Sequence, residues 1–160
     1  MIEKARFEII TRSPDETEQL GCKLAKRLVP GDVISLKGDL GSGKTLFTQG
    51  IGSGLHVRDA ITSPSFTLVQ EYRADIPMYH FDLYRLNSLS DVEDLGFDGY
   101  LESGGIVIIE WAEKGDGLIP ENHISVEFSR VMEEEKRIAE GKRAIAITFP
   151  VLHNLGEALA

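Results

Sequence analysis

The sequence lacks several features that would define other protein classes. It has a single cysteine, Cys22, among 160 residues, so an intrachain disulfide and a cysteine-based metal site are both excluded. No apolar run approaches the roughly 18 residues that a membrane-spanning helix requires. The N-terminal stretch MIEKARFEII lacks the apolar block and cleavage site of a signal peptide. We therefore expect a cytoplasmic protein that has no membrane association.

Positive charge is also scarce. Lys and Arg number 17 against 26 Asp and Glu, which gives a formal net charge of −9. Nucleic-acid affinity rests mainly on contacts of Lys and Arg with phosphates. The composition therefore argues against a broad nucleic-acid footprint on this chain, and leaves open an action on nucleic acid through a basic partner.

The chain contains short strand patterns separated by helix patterns, with no internal repeat and no low-complexity linker. Alternating or continuous apolar residues predict strands within FEIITRS, DVISLKG, FTLVQEYR, MYHFDLYR, GIVIIEW, HISVEFSR and RAIAITFP. The third and fourth of these should form a hairpin. The charged segment VMEEEKRIAEGK, before the last strand, is interpreted as a solvated hairpin loop. The mixture predicts an α/β fold with some antiparallel pairs.

Helices are predicted within SPDETEQLGCKLAKRLV, KTLFTQGIGSGL and SLSDVEDLG. The first has a strong start signal. Ser13 can cap it, Pro14 suits its first position, and Glu16 completes a capping-box pattern. The final segment, VLHNLGEALA, is interpreted as a tail that contains at most a short helix.

One segment carries a specific chemical motif. GDLGSGKT, residues 38–45, matches the phosphate-binding pattern G-x-x-x-x-G-K-[ST] at every fixed position, between a predicted strand and a predicted helix. The glycines let the backbone wrap around phosphates, and N–H groups at the helix start then point at the anion. Lys44 can reach the β- and γ-phosphates, and Thr45 can offer its hydroxyl to Mg²⁺. The predicted nucleotide-binding residues are Asp39, Leu40, Gly41, Ser42, Gly43, Lys44 and Thr45.

Such a site needs an acidic partner for Mg²⁺ at the end of a neighbouring buried strand. GIVIIEW offers four aliphatic residues followed by Glu110. Most P-loop proteins have Asp there, and the longer side chain can still reach the metal directly or through water. The alternative is a strand-end Glu that faces solvent. We favour the metal role because the acid follows a fully apolar strand in a P-loop protein.

The segment TSPSFTL, residues 62–68, lies where many P-loop proteins place a switch that senses the γ-phosphate. Pro64 would stiffen it, and its Ser and Thr residues supply hydroxyls. On composition alone, an ordinary loop is an equally good interpretation. The switch candidates are Thr62, Ser63, Pro64, Ser65 and Phe66.

The strand YHFDLYR, residues 79–85, has an unusual polar set. Period-two alternation predicts a core face that carries Tyr79, Phe81 and Leu83 and a polar face that carries His80, Asp82 and Tyr84. From the residues alone, that polar face is either a solvated surface or a set of functional groups. A histidine in such a strand is most often a hydrogen-bonded structural residue.

The succession of P-loop, TSPSFTL, HFDLYR and IEW closely resembles the bacterial TsaE (older name YjeE) ATPase family of tRNA threonylcarbamoyladenosine biosynthesis, over residues 13–143. The resemblance implies a single-domain, P-loop NTPase-like, three-layer α/β/α fold with a mixed parallel and antiparallel sheet, with residues 1–150 as the ATPase domain and 151–160 as the tail. It implies ATP and Mg²⁺ as cofactors and the proteins TsaD and TsaB as partners. The group transfer to adenosine 37 of tRNA would belong to that complex, with a slow, partner-dependent ATPase supporting it and touching tRNA only indirectly.

The resemblance also implies roles for particular residues. Asp82 would lie near the γ-phosphate and the attacking water, and Trp111 near the site or at a partner surface. The family usually has Thr where this chain has Ser65, which leaves a hydroxyl in place within the switch. The implied catalytic residues are Lys44, Asp82 and Glu110, the metal ligands Thr45 and Glu110, and the adenine contacts Ser13 and Gly141.

Two other functions stay open at this point. A small-molecule kinase would use the same P-loop, but it needs an acceptor pocket and usually an Arg-bearing lid. The only lid candidate is SRVMEEEKRIAEGKR, residues 129–143. A nucleotide-gated binding module with negligible turnover is the third possibility.

Overall fold

The computed structural model of the chain describes residues 3–39, 41–62, 64, 68–133 and 137–153. The strands are β1 (Lys4–Thr11), β2 (Val33–Lys37), β3 (Val69–Tyr72), β4 (Met78–Asp82), β5 (Ile106–Glu110), β6 (Ile124–Glu133) and β7 (Arg137–Pro150). The α-helices are α1 (Pro14–Ala25), α2 (Lys44–Gly54), α3 (Leu89–Asp94) and α4 (Phe97–Glu102). None of the described helices combines the length and the apolar character that crossing a bilayer requires.

The seven strands form one mixed sheet in the order β1-β7-β6-β2-β5-β4-β3. The four central strands, β6, β2, β5 and β4, are parallel to one another. β7 and β1 extend the sheet antiparallel on one side, and β3 pairs antiparallel with β4 at the other edge. The predicted fold class and the predicted β3–β4 hairpin are confirmed. Because the carboxyl ends of parallel strands share one edge, whatever follows β2, β5 and β4 is brought together.

Helices cover the two faces of the sheet unequally. On one face, α1 and α2 bury Leu24, Phe47 and Ile51 against strand residues such as Ile34 and Ile108. On the other face, α3 and α4 form a smaller core with β2, β3, β4 and β5, to which β1, β6 and β7 contribute no described residue. The molecule therefore has three layers, and the second helical layer covers about half of the sheet.

The structure confirms the core face of YHFDLYR, since Tyr79, Phe81 and Leu83 pack in one hydrophobic cluster, but it also buries His80 on the opposite face. His80 and Phe81 are adjacent in sequence and point to opposite faces, yet both are 0% exposed. β4 lies between β5 and β3, with helices packed over both faces, so neither face meets solvent. The solvated interpretation of the polar face is therefore wrong at His80, whereas Tyr84, beyond the strand end, is exposed.

The charged connection expected over residues 131–142 is also different. β6 continues to Glu133 and β7 begins at Arg137, with a shift in register between Arg130 and Met132. Residues 134–136 lie outside the described residues. The loop interpretation is wrong because a charged composition indicates contact with solvent and does not prevent two long antiparallel strands from continuing their backbone pairing.

Polar contacts hold the start of α1 and the described part of the C-terminal tail. Ser13 caps α1, its Oγ accepting from the N–H of Glu16 at 3.1 Å, as predicted. The Glu16 carboxylate accepts from the N–H of Arg12 at 2.5 Å, one residue before the cap. The described part of the tail is a single 3₁₀ turn, Val151–His153, and the His153 ring lies 2.7 Å from Asp32 Oδ2. The division into a domain and a tail stays a prediction.

The α1–α2 contact depends on glycines that let the two backbones touch. A Cβ on Gly50 would overlap the carbonyl oxygen of Glu18, and a Cβ on Gly21 would overlap the carbonyl oxygen of Phe47. Backbone cannot move aside as a flexible side chain can, so these positions fix how closely α2 approaches α1. Since α2 begins in the P-loop motif, this packing also fixes the height of the loop above the sheet.

Gly50→Ala is expected to destabilise the protein by about 1–3 kcal/mol, because the added methyl group overpacks the α1–α2 contact. Gly99→Ala is the matched control, since Gly99 lies in α4 with nothing within 4 Å of its added Cβ. There, Ala should stabilise the helix by about 0.5–1 kcal/mol. Urea unfolding of both variants measures the difference. Equal stability of the two variants would contradict this account of the helix packing.

Candidate functional site

The predicted site residues meet at the carboxyl edge of the parallel strands. Glu110 is the last residue of β5 and Asp82 the last residue of β4. The strand registers place Leu36 of β2 opposite Glu110, and Glu110 opposite Asp82. The P-loop follows β2 directly and leads into α2 at Lys44. Three neighbouring strands therefore deliver the loop and two carboxylates to one edge of the sheet.

The P-loop has the backbone geometry that its glycines allow. Gly41 and Gly43 have φ angles of 77° and 108°, in the left-handed region, and Gly43 is the N-cap of α2. A Cβ on Gly38 would come within 2.9 Å of Phe128 Cβ, so the loop passes too close to β6 for a larger residue. Ser42 is buried, and its hydroxyl has no hydrogen-bond partner among the described residues. Leu40 lies outside the described residues.

The side chain of Lys44 lies against its own loop. Its Nζ donates to the Gly38 carbonyl at 2.8 Å and lies 5.2 Å from the ring centroid of Trp111. Trp111 has a left-handed backbone (φ 59°) that turns the chain sharply after Glu110, and its ring packs against Tyr84 at 4.8 Å. This cation–π contact joins the loop to the end of β5.

Two residues that the sequence did not single out hold the loop from its other side. Arg143 of β7 donates from Nη2 to the Gly41 carbonyl at 3.3 Å. Thr17 of α1 lies 3.4 Å from where a Cβ on Gly43 would be, and its hydroxyl is 2.7 Å from that of Thr11. Arg143 is 102 residues from Gly41, so no local pattern could have indicated the contact.

The predicted adenine contacts lie near that same side. The β1–β7 register pairs Thr11 with Arg143, so Ser13 and Gly141 each lie two residues beyond this pair. The Ser13 hydroxyl is engaged in capping α1. The arrangement brings both residues to the edge of the sheet that carries the P-loop.

The two carboxylates at the edge lie close to each other, with Glu110 buried and Asp82 half-buried. Glu110 is 4% exposed, and its Oε2 lies 3.5 Å from Nε2 of His80. Burial is the largest cause that raises the pKa of Asp82, and the nearby charge of Glu110 adds to it. The N–H of Tyr84, donating to Asp82 Oδ1 at 3.0 Å, opposes the rise, as do His80 and Lys44.

His80 differs from the hydrogen-bonded structural histidine that the sequence suggested. It is 0% exposed, and neither ring nitrogen has a hydrogen-bond partner among the described residues. The interpretation as a satisfied structural residue is therefore wrong for the part of the chain described. The sequence offered no signal for the missing partners, because they depend on what other elements of the fold place around the His80 ring.

The switch segment is described at its two ends. The backbone N–H and carbonyl of Thr62 both lie 3.3 Å from the Tyr72 hydroxyl. Pro64 is buried, and its carbonyl accepts from the N–H of Leu68. The Leu68 carbonyl in turn accepts from the backbone N–H of Asp82 at 2.9 Å. The downstream end of the segment is thus joined to the end of β4. Ser63, Ser65 and Phe66 lie outside the described residues.

A cavity of about 820 Å³ lies beside the P-loop. Gly38, Asp39, Lys44 and Trp111 form one wall, and the open face of β1, β6 and β7 contributes the floor. Its volume is within the range of small-molecule sites. Of the predicted site residues, Asp39 and Lys44 line it, whereas Ser13, Asp82 and Glu110 do not.

Comparison with known proteins finds one family. The protein-family model of the threonylcarbamoyl adenosine biosynthesis protein TsaE matches residues 11–139. The chain is 38% identical to the tRNA threonylcarbamoyladenosine biosynthesis protein TsaE of Bacillus subtilis over 129 residues, 80% of each chain. It is 34% identical to the protein of that name from Treponema pallidum over 138 residues, 86% of this chain and 97% of the other. The crystal structure of Bacillus subtilis YdiB is similar, with a TM-score of 0.74 and 30% identity, and the match covers 94% of this chain and 88% of that one.

Asp82→Asn is expected to raise Tm near neutral pH. Because the pKa of Asp82 is raised in the folded state, the ionised carboxyl destabilises the fold above that pKa. The penalty disappears below the ordinary value of 3.8, where the group is protonated in both states. The amide oxygen can still accept from the Tyr84 N–H. Thermal melts of both proteins should therefore differ near neutral pH and converge in acid.

The exposed Asp59→Asn is the control for this comparison, and it should leave Tm unchanged across the same pH range. A lower Tm for Asp82→Asn near neutral pH, or a difference that does not vary with pH, would refute the assignment of an unfavourable charge at Asp82.

Proposed function

We propose that this chain, which belongs to the TsaE family of threonylcarbamoyl adenosine biosynthesis proteins, binds ATP with Mg²⁺ and hydrolyses it slowly in support of that tRNA modification. The observation that carries the proposal is the meeting of a P-loop lysine, Asp82 and Glu110 at one edge of the sheet. A lysine for phosphates, a buried acid for the metal and a second acid for water are the parts that phosphoryl transfer to water requires.

The P-loop supplies the phosphate site. The left-handed backbones of Gly41 and Gly43 allow N–H groups of the loop to point at an anion, and the start of α2 adds its positive dipole end. The hydroxyl of Ser42 has no hydrogen-bond partner among the described residues, so it would be available to an anion. Lys44 would exchange the Gly38 carbonyl for the β- and γ-phosphates. An anion therefore fits a loop that already holds unused donors.

The residues at the edge also fit Mg²⁺. No three Asp, Glu, His or Cys side chains converge on a metal-sized space among the described residues. Mg²⁺ is usually held by one or two carboxylates together with substrate phosphates and water, so a protein-only cluster is not needed. Glu110 and the exposed Thr45 hydroxyl would hold the ion, which would neutralise charge on the phosphates.

Asp82 would orient the attacking water and accept its proton. A raised pKa brings a carboxyl closer to the operating pH, which makes it a better proton acceptor than an ordinary aspartate. The N–H of Tyr84 holds Oδ1, so Oδ2 is available to the water. The link from Asp82 through Leu68 to the switch segment would let phosphate occupancy affect this group.

The proposed partners are TsaD and TsaB, with tRNA contacted indirectly through their complex in the cytoplasm. The net charge of −9 supports this division of labour, because an acidic chain is a poor binder of phosphate backbones. The threonylcarbamoyl transfer itself would take place on the partners. A small-molecule kinase is disfavoured, since β6 and β7 take up the described part of the only lid candidate, residues 129–143.

Lys44→Ala is expected to weaken ATP affinity by on the order of 10- to 100-fold, the equivalent of one charge-assisted hydrogen bond. Trp111 is the only tryptophan and lies 5.2 Å from the Lys44 ammonium, so its fluorescence should report the titration in the wild-type protein. Lys44→Ala lacks the ammonium group beside Trp111, so its ATP binding is measured by calorimetry. Lys26→Ala, an exposed position after α1, should bind ATP normally. Equal affinities of the two variants would count against the P-loop assignment.

Reconstitution with purified TsaD, TsaB, tRNA and the threonylcarbamoyl donor tests the function as a whole. Modified adenosine should accumulate over multiple turnovers only when this chain is present.

Asp82→Ala should bind ATP within about 3-fold of wild type but release phosphate on the order of 100-fold more slowly, as expected for loss of a general base. It should also fail to support multiple turnovers. Unchanged turnover would remove Asp82 from the mechanism, and rapid phosphorylation of a metabolite would favour the kinase.

A further inference from the structure

The buried histidine of β4 has no explanation in the packing of the core. Its side chain is fully buried, and neither ring nitrogen has a hydrogen-bond partner among the described residues. An unsatisfied buried polar group destabilises a fold by about 1–3 kcal/mol, and an apolar side chain would avoid that penalty. A polar ring at this place therefore calls for a role outside stability.

The strand register places the ring close to the Glu110 carboxylate. His80 lies opposite Ile108, and two residues further along both strands Asp82 lies opposite Glu110. His80 is thus diagonal to Glu110 on the same face of the sheet, one step below the carboxyl edge. Its Nε2 is 3.5 Å from Glu110 Oε2, and the Glu110 side chain is only 6% exposed.

The two neighbours of the Glu110 carboxylate act on it in opposite senses. Asp82 carries a like charge, and the repulsion between the two is part of what raises the pKa of Asp82. An N–H on Nε2 of His80 would offer the Glu110 carboxylate a donor from one step below the edge. A hydrogen bond to Oε2 would hold one oxygen down, away from Asp82, and leave Oε1 facing the edge where α2 begins with Lys44 and Thr45.

We propose that His80 is a positioning residue, whose Nε2–H holds Oε2 of Glu110 so that the other oxygen is presented to the metal ion. The inference rests on the proposed role of Glu110. Donors that orient a metal-ligating group from behind typically contribute 10- to 100-fold to metal affinity or activity. The 3.5 Å separation would shorten in the loaded site, since catalytic hydrogen bonds often tighten only there.

Metal affinity, measured without turnover, tests the inference. The protein is loaded with a non-hydrolysable ATP analogue and titrated with Mn²⁺, with free Mn²⁺ followed by electron paramagnetic resonance. His80→Leu should weaken Mn²⁺ affinity about 10-fold or more. His80→Gln keeps an N–H donor and should restore most of the affinity. Both variants should bind the analogue normally in the absence of metal.

Thermal stability separates positioning from a structural role. His80→Leu should melt at or above the wild-type Tm, since it removes an unsatisfied buried group. Wild-type Mn²⁺ affinity in His80→Leu, or failure of His80→Gln to restore it, overturns the inference. A fall in Tm accompanied by weaker metal-free nucleotide binding would show a structural histidine and overturn it as well.

Glu110→Gln distinguishes failure of the inference from failure of the proposed function. If Glu110→Gln loses Mn²⁺ affinity and His80→Leu does not, only the role of His80 is wrong. If Glu110→Gln binds Mn²⁺ like wild type, the metal role of Glu110 is wrong and the inference is overturned with it.

Discussion

The pairing of β2, β5 and β4 in one register is the constraint on which the site depends. It aligns Leu36, Glu110 and Asp82 across three parallel strands, so that the P-loop and both acids reach the same edge. A slip of one residue in β5 would turn Glu110 to the opposite face and place Ile109 beside Leu36. β5 is a continuous aliphatic run that is buried on both faces. It anchors that register, because a shift of β5 along its neighbours would bury the Glu110 carboxylate more deeply or expose apolar residues.

The same arrangement makes the site a locally unfavourable part of the fold. Two carboxylates lie within one small edge, together with the buried His80 ring and the buried Ser42 hydroxyl, which find no hydrogen-bond partner in the part of the chain that the structure describes. The cores on either face supply the compensation, since each fully buried Leu, Ile or Phe contributes about 1.5–3 kcal/mol. Residues that would be poor choices for stability are thus gathered where the proposed chemistry requires polar groups that are held ready and kept from water.

The sequence predicted what local pattern determines and missed what depends on distant neighbours. The P-loop and its helix follow from contiguous residues, and Glu110 from the apolar run that precedes it. The fold class and the β3–β4 hairpin were predicted for the same reason. The burial of His80 was missed because it depends on the pairing of β4 between β5 and β3 and on the layer of α1 and α2, which packs over the face that carries His80. The continuation of β6 and β7 was missed because a charged composition does not indicate whether the backbone pairs. The contact of Arg143 with Gly41 was missed because the two residues are 102 apart in the sequence.

The contacts of the P-loop lysine bear on how tightly ATP can be held. In this structure, the Lys44 ammonium already has a carbonyl acceptor at 2.8 Å and an aromatic face at 5.2 Å. In the proposed function, binding phosphates would exchange these contacts for stronger ones, so the net gain would be the difference and would be smaller than the gross strength of a lysine–phosphate pair. Since Trp111 follows Glu110 directly in the chain, movement of the lysine away from the indole would also change what packs beside Glu110, the proposed metal ligand. The proposed phosphate site and the proposed metal site would therefore be coupled through one aromatic ring, so that occupancy of one affects the geometry of the other.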